Sequence, residues 1–440
     1  MRLLLDAKDL SLTQGTGIAT YARNLSLMNA DLGNTVDLLH EFRPYRRHDD
    51  VLEEVSFYDR RYGTGRATVD RISAMAAVVA KLLTPHRAIE LVPVKVSGFV
   101  DSRSLGASVP HFDRVLTAPL VFRTAWAYFS LTGRFLPVRA DPAPDIAHWT
   151  MPFPIRHPGV RNVYTVHDLI PLKLPFATLD NKRKFRGVIK TIAAKADRIV
   201  TVSETTTHDL LQLEPEAETK ISTTFQAARI PQEHLSRPDE ENARSVSNLI
   251  GLQHRRFLLF FSAIEPKKNL GRLIEAYLGS DSSLPLVIVG AKAWLAEPEL
   301  RPLQYQSVKA ALSGATEGAA RVIALDYVGF DLLIALIRSA RAVMFPSIYE
   351  GFGLPILEAM MCGTPVMTSN FGAMREVAGP EAALLVDPFD IRDIRQAIEL
   401  LSRDDALCQR LSAAGLARSE AFSWDRYRTR LATAYEKAIA

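Results

Sequence analysis

Through the second half of the chain, short apolar runs alternate with segments whose apolar positions recur at helical spacing. The runs over 257–261, 286–289, 321–327, 342–345, 365–368 and 383–386 predict strands. The segments near 270–278, 331–340, 355–361 and 390–402 predict helices. Apolar runs separated by helices belong to a parallel sheet covered on both faces. The first half repeats the alternation less cleanly. Strands are expected over 2–5, 36–39, 146–149, 161–166 and 198–202, and helices near 18–31, 182–195 and 204–213. The expected fold class is α/β, with two facing parallel-sheet domains and ligands held in the cleft beyond the carboxyl ends of the strands. A polar, proline-bearing stretch from Pro231 to Glu241 places the boundary near 230–253. Residues 43–140 carry more helical pattern than such a domain needs and predict an insertion.

Several chemistry-bearing residues fall at predicted strand ends. From Tyr349 to Ala359, two carboxylates, Glu350 and Glu358, stand eight residues apart across a glycine-bearing loop and a helix start. Pro355 suits the first helical turn, where its missing N–H costs nothing. Gly351 and Gly353 let backbone approach a ligand, and the free N–H groups of a helix start attract phosphate. Carboxylates beside a phosphate site suit hydroxyl-rich groups such as a sugar and a ribose. Taken alone, the pair also fits a tight turn before a core helix. Ser262 to Leu270 follows another strand, with Lys267 and Lys268 just before a helix that Asn269 is expected to cap. Cations there suit a diphosphate and the charge that grows on it as it departs. Gly290, with Ala291 and Lys292, ends the 286–289 strand and is a further nucleotide contact. His167 and Asp168 end the strand over 161–166. His167 suits donation to a sugar hydroxyl or phosphate and Asp168 suits orienting it, while the same pair also serves as a cap for the next loop. Gly15 and Gly17 open the first helix in a pattern close to the dinucleotide fingerprint, with Thr20 in place of the third glycine.

Composition narrows the class. A chain of 440 residues, 48% hydrophobic and 23% charged, fits two or three ordinary globular domains. Cys362 and Cys408 are too few for a disulfide framework or a cysteine-rich metal site and fit a reducing cytoplasm. CxxC, HExxH and Walker A patterns are absent, so no protein-held metal is expected. The apolar start reaches Asp6 too soon for a secretory signal, and no run of about 18 apolar residues predicts a membrane span. A net charge of +4 permits phosphate-bearing ligands or an acidic membrane surface and does not call for nucleic acid. Residues 114–139 hold four arginines and no acid around Phe122, Trp126, Tyr128, Phe129 and Phe135. That segment fits either a membrane surface or a buried helix with arginines at its ends. The cluster Lys182, Arg183, Lys184, Arg186, Lys190, Lys195 and Arg198 suits anionic headgroups, an acceptor diphosphate or simply solvent.

The order of these motifs resembles the retaining glycosyltransferases of family 4. The resemblance covers roughly 1–42 and 145–438. It is carried by Glu265-Pro266-Lys267-Lys268-Asn269, Phe345-Pro346-Ser347, the pair Glu350 and Glu358, Cys362-Gly363-Thr364-Pro365-Val366 and Phe422-Ser423-Trp424. It implies the GT-B fold: an acceptor-binding domain over 1–240 with the insertion near 43–140, a nucleotide-sugar domain over 241–422, and a terminal helix over 423–440 crossing back to the first domain. It also implies roles. Glu350 would contact the hydroxyls of the donor sugar and Glu358 the ribose. Backbone N–H groups of Phe352, Gly353 and Leu354 would face sugar and diphosphate, and Lys268, with Lys267 beside it, would bind the diphosphate. Gly15 and Gly17 would close over the donor phosphates or the acceptor, and His167 would lie near the scissile bond. The family's second basic residue falls at Ser262 or Ala263, where Lys267 would substitute. The implied chemistry retains the anomeric configuration without a metal or other cofactor, by front-face displacement, with double displacement through Asp168 as the lesser alternative. The donor suggested is GDP-mannose, with UDP-glucose or a deoxysugar nucleotide as alternatives. The acceptor is a lipid-linked glycan of bacterial surface polysaccharide at the cytoplasmic face of the inner membrane. A nucleotide-sugar epimerase, a dehydrogenase using the first glycine loop and a non-catalytic nucleotide-sugar sensor are the competing classes.

Overall fold

Two parallel sheets organise the chain in the computed structural model, which describes residues 1–8, 17–41, 50–58, 67–84, 87–101, 110–291, 293, 296–302 and 322–440. The first sheet has eight strands in the spatial order Ile221–Thr223, Arg198–Thr201, Arg161–Val166, Ile146–Trp149, Arg2–Asp6, Thr35–His40, Arg114–Thr117 and Val92–Val94. Its pairs are parallel except the last, where Val92–Val94 runs antiparallel to Arg114–Thr117. The second sheet has six parallel strands in the order Val322–Leu325, Leu286–Val289, Leu258–Phe261, Ala342–Phe345, Val366–Ser369 and Leu384–Val386. Four of these, Leu258–Phe261, Leu286–Val289, Ala342–Phe345 and Val366–Ser369, are buried at every position. Helices cover both faces, so those strands are almost wholly apolar; the exceptions, Thr368 and Ser369, donate their hydroxyls to the carbonyls of Phe345 and Ser347. The predicted strand over 321–327 is shorter, Val322–Leu325, and Arg321 lies outside the described residues.

The arginine-aromatic segment folds inward. Its helix, Val121–Thr132, buries Phe122, Tyr128 and Phe129, and Phe135 follows them into the same core. Phe122 packs against Phe153 with ring centroids 4.9 Å apart. Arg114 is spent on Asp37, 2.7 Å away. The membrane-surface reading of 114–139 is therefore corrected: burying several large rings outweighs the amphipathic arrangement that a bilayer would need. Parts of the insertion, including 42–49, 59–66 and 102–109, lie outside the described residues.

Between the sheets, helices Gln232–Leu235 and Asp239–Ile250 span the polar stretch. That stretch is fastened to the second domain through one helix, where His234 stands 3.4 Å from Asp331 and packs edge-on against Phe330. Arg338, on helix Phe330–Ser339, donates to the carbonyls of His234, Leu235 and Arg237 at 2.7–2.8 Å and pairs with Asp239 at 2.7 Å. At the other end of the chain, helix Trp424–Ile439 lies against the first sheet. Tyr435 Oη shares hydrogen bonds with His148 Nδ1 (2.8 Å) and Asn29 Nδ2 (3.2 Å). Arg198 and Arg161 donate to the carbonyls of Lys437 and Ile439, placing cations at the negative end of the helix dipole. Replacing Arg338 with Leu strands three carbonyls and is expected to cost about 2–3 kcal/mol of stability, measured as a shift in the denaturant midpoint.

Candidate active site

Numbered along the chain, the second sheet has the order 3-2-1-4-5-6, and the order reverses between Leu258–Phe261 and Ala342–Phe345. Connections from these two strands leave in opposite directions, opening a crevice between the loops that follow them. Those loops are 262–269 and 346–353, which hold the lysines and Glu350. The backbone joins them, as Ile348 N donates to Lys267 O at 2.7 Å.

Lys268 Nζ donates to Glu350 Oε1 at 2.6 Å, and both side chains are only 9% exposed. Lys267 Nζ stands 3.3 Å from Glu265 Oε1 and 3.9 Å from Glu350 Oε2. Burial raises the Glu350 carboxyl, but Lys268 and Lys267 outweigh it and leave the group below its ordinary range. Burial likewise lowers the Lys267 ammonium, and the carboxylates of Glu350, Asp168 and Glu265 more than reverse it. Asp168 comes from the other domain, so the cluster bridges the cleft. Burial pushes the Asp168 carboxyl up against the pull of Lys267. Three carboxylates and two ammonium groups thus share one largely buried site, and Glu265 Oε2 is buried there without a hydrogen-bond partner.

Asn269 does not cap the following helix with its side chain. It adopts the left-handed conformation at φ 61°, and its amide donates to the carbonyls of Pro346 (3.0 Å) and Pro388 (2.7 Å). Asparagine tolerates that backbone, and here it staples three loops at the strand ends.

The ring of His167 also differs from expectation. Its Nε2–H donates to the carbonyl of Thr150 at 2.8 Å, while Gln226 Nε2 approaches Nδ1 at 3.5 Å. Burial lowers the imidazole to about 4, so the ring is neutral and its one N–H is already engaged. What His167 presents to the second domain is its carbonyl. A Cβ on Gly351 would stand 2.1 Å from that oxygen, so only glycine allows the loops to meet. Thr206 Oγ1 donates to the same carbonyl at 2.9 Å. Asp168 Oδ1 accepts from Ile170 N at 3.0 Å, capping the loop that leaves the strand.

Of the other sequence candidates, Glu358 sits half-buried on helix Leu354–Met361, and burial raises its carboxyl to about 7. Gly353 and Leu354 open that helix, and Phe352 is buried against Phe422. Gly290 is a packing residue: a Cβ there would stand 1.8 Å from Ser262 O. Gly17 begins helix Gly17–Asp31 and is exposed, while Gly15 and Lys292 lie outside the described residues. Among the described residues, no three His, Cys, Asp or Glu side chains gather as a metal site.

Two cross-cleft contacts carried no sequence signal. The Glu376 carboxylate accepts from Glu204 N (2.7 Å), Thr205 N (3.0 Å) and Thr205 Oγ1 (2.9 Å), so one domain caps a helix of the other. Tyr349 Oη donates to Asp209, which also pairs with Lys173.

Residues 249–418 match the family model described as glycosyl transferases group 1. Among curated proteins, the chain is 32% identical over 289 residues to O-antigen chain mannosyltransferase B of Escherichia coli, covering 64% of this chain and 72% of that one. It is 30% identical over 300 residues to the serotype-specific mannosyltransferase WbdA of Escherichia coli, covering 65% of this chain and 36% of that longer one. Among solved structures, sucrose-phosphate synthase from Thermosynechococcus elongatus superposes with a TM-score of 0.65 at 18% identity, covering 99% and 98% of the two chains. The architecture is that of the GT-B fold.

Two outcomes follow from this geometry. Gly351→Ala forces the loops apart and is expected to lower turnover on the order of 100-fold, as misplacement by about 1 Å does, with an unchanged circular dichroism spectrum. A raised Glu358 carboxyl holds its proton more tightly folded than unfolded. Its stability contribution is full below pH 4.5 and lost as pH rises through about 7. Glu358→Gln should flatten that decline in thermal melts taken across the window.

Proposed function

This chain belongs to the group 1 glycosyl transferases, and we propose that it transfers a mannosyl group from GDP-mannose to a lipid-linked glycan, retaining configuration, in the assembly of a bacterial surface polysaccharide. The observation that carries the reading is the buried cluster of Lys267, Lys268 and Glu350 at the crevice of the second sheet, closed by His167 and Asp168. The Escherichia coli relative matched over 72% of its own length is an O-antigen chain mannosyltransferase, which supports this reading. In this reading the work takes place at the inner face of the cytoplasmic membrane, where a lipid-linked acceptor would sit; among the described residues no helix is long and apolar enough to cross a membrane.

The chemistry derives from the charges. A nucleoside diphosphate entering the crevice competes with Glu350 for Lys268 and Lys267. As the ammonium groups turn to the phosphates, Glu350 becomes available to the hydroxyls of the sugar. The same two cations then stabilise the charge that grows on the departing diphosphate. Among the described residues, Asp168 is the carboxylate that the first domain brings to the cluster, and it has one oxygen committed to Ile170 N and a carboxyl raised by burial. This favours front-face displacement, in which the leaving phosphate oxygen takes the acceptor proton and the enzyme contributes alignment and charge. Glu358 is left for the ribose.

The reading is tested by nucleoside diphosphate release from GDP-, UDP- and dTDP-sugars, with and without a lipid-linked glycan extract. Release of GDP from GDP-mannose, stimulated by acceptor, is the expected result; stimulated release from another donor would overturn the assignment of the sugar. Glu350→Gln should lower turnover about 100-fold or more, the scale of losing one charge-stabilising contact, while Lys268→Met should mainly raise the donor KM. Wild-type kinetics in either variant would remove that residue from the site.

A further inference from the structure

Directly after Asp168, the chain leaves the cleft through helix Ile170–Lys173, then a loop, then helix Lys182–Lys195. The loop carries two large apolar side chains into solvent: Phe176 is 69% exposed and Leu179 76%. Isolated exposed apolar residues are ordinary, but these two flank Ala177 and Thr178, which are buried. Thr178 fixes the loop from inside, bonding Asp180 Oδ2 at 2.6 Å and accepting Lys182 Nζ on its carbonyl at 2.6 Å. The apolar pair is therefore held outward on an anchored loop.

The surface around it is cationic. Residues 173–195 include seven lysines and arginines and a single acid, Asp180. Lys173 and Arg186 are paired with Asp209 and Glu214. Arg183, Lys184 and Lys190 are exposed on the helix face opposite the buried Val188, Ile189, Ile192 and Ala193. Lys182, Arg183 and Lys184 also fill the first helical turn, where no acidic residue stands and the dipole already favours an anion. Positive charge is thus concentrated where the helix itself repels it, beside two exposed apolar groups.

We propose that this face, Phe176 and Leu179 with Arg183, Lys184 and Lys190, docks the protein on an anionic phospholipid bilayer. The two apolar side chains enter the headgroup layer and the three cations meet lipid phosphates. The pairing of an apolar tip with surrounding cations matches a charged interface with hydrocarbon beneath it. A nucleic acid would use the cations and leave both apolar groups in water. Docking here holds the cleft at the bilayer, because the loop begins at the strand end that bears His167 and Asp168. This deepens the proposed function by naming the surface that meets the membrane in which a lipid-linked acceptor sits.

The test is flotation of the full chain with phosphatidylcholine vesicles, with and without phosphatidylglycerol, and without donor or acceptor. The wild type should float with the phosphatidylglycerol vesicles and lose binding as salt rises. Phe176→Ser with Leu179→Ser, and separately Arg183→Glu with Lys184→Glu, should each weaken binding about tenfold while melting as the wild type does. Arg123→Glu with Arg134→Glu, on the other basic segment, should bind as the wild type does. Absence of flotation, equal binding to neutral vesicles, wild-type binding by either surface variant, or RNA binding in place of vesicle binding would overturn the proposal. Because no donor is present, its failure leaves the transferase reading standing. Conversely, a chain that binds vesicles and releases no diphosphate from any donor loses that reading alone.

Discussion

The pair between Lys268 and Glu350 is the constraint on which the cleft depends. Taking both charges out of water is expensive, and their attraction offsets that cost only when the geometry is good. Here the contact is 2.6 Å, and Lys267 supports the second carboxylate oxygen from 3.9 Å. Such a pair adds little to stability over a well-packed apolar substitute. Its value is to hold two cations aimed in a buried site. The excess of carboxylates matters equally. With Asp168, Glu265 and Glu350 around two lysines, neither ammonium is free to attract anions at random, and a diphosphate must displace a carboxylate to enter. That displacement releases the group that the sugar needs.

The sheet order explains why these residues meet. Lys268 and Glu350 are 82 positions apart, yet their loops leave adjacent strands on either side of the reversal. Nothing between them has to be tuned for that meeting except loop geometry. Asn269 and the Ile348-to-Lys267 backbone bond supply it. The first domain contributes in the same way, through residues immediately after the strand Arg161–Val166.

How much of this was legible in the sequence follows from the same physics. Strands buried on both faces are nearly all apolar, so the second sheet was readable almost strand by strand. In the first sheet, Val92–Val94 and Ile221–Thr223 were missed because they are three residues long and mostly not fully buried, and Arg114–Thr117 because it was read as part of the arginine-aromatic segment. The lysines and Glu350 were legible because a strand end followed by a helix start is a recurring place for phosphate. The aromatic helix Val121–Thr132 was ambiguous because periodicity shows that a face is apolar without showing what covers it. Asn269 was misread as a cap because its side chain suits a helix start and a loop staple equally. The roles of Glu376, Tyr349 and Asp209 were invisible: their partners lie 140 residues or more away, and no local pattern encodes that distance.

The contacts between the halves divide into two kinds. Those of the terminal helix are deep: Tyr435 and His148 are both fully buried, and parting them would strand their polar atoms. That helix belongs mechanically to the first domain although the chain reaches it from the second. Across the cleft the hydrogen bonds differ in depth: Glu376 capping the helix at Glu204 lies near solvent, Tyr349 on Asp209 is half-buried, and Thr206 reaching toward Gly351 is buried. Water can replace the partners of the Glu376 cap at little net free energy, whereas parting the buried Thr206 contact would strand polar atoms. The two cores are also joined: one apolar cluster holds Leu3 and Val163 of the first sheet with Leu259 and Val343 of the second, and the rings of Phe225, Phe422 and Phe352 pack in series within it, so the cleft is held by apolar contact as well. The glycine at position 351 lets it close completely, because only a residue without a side chain lets that loop rest on the His167 carbonyl. Catalytic alignment then depends on this one surface, whose closest approach is bare backbone at Gly351 on the His167 carbonyl.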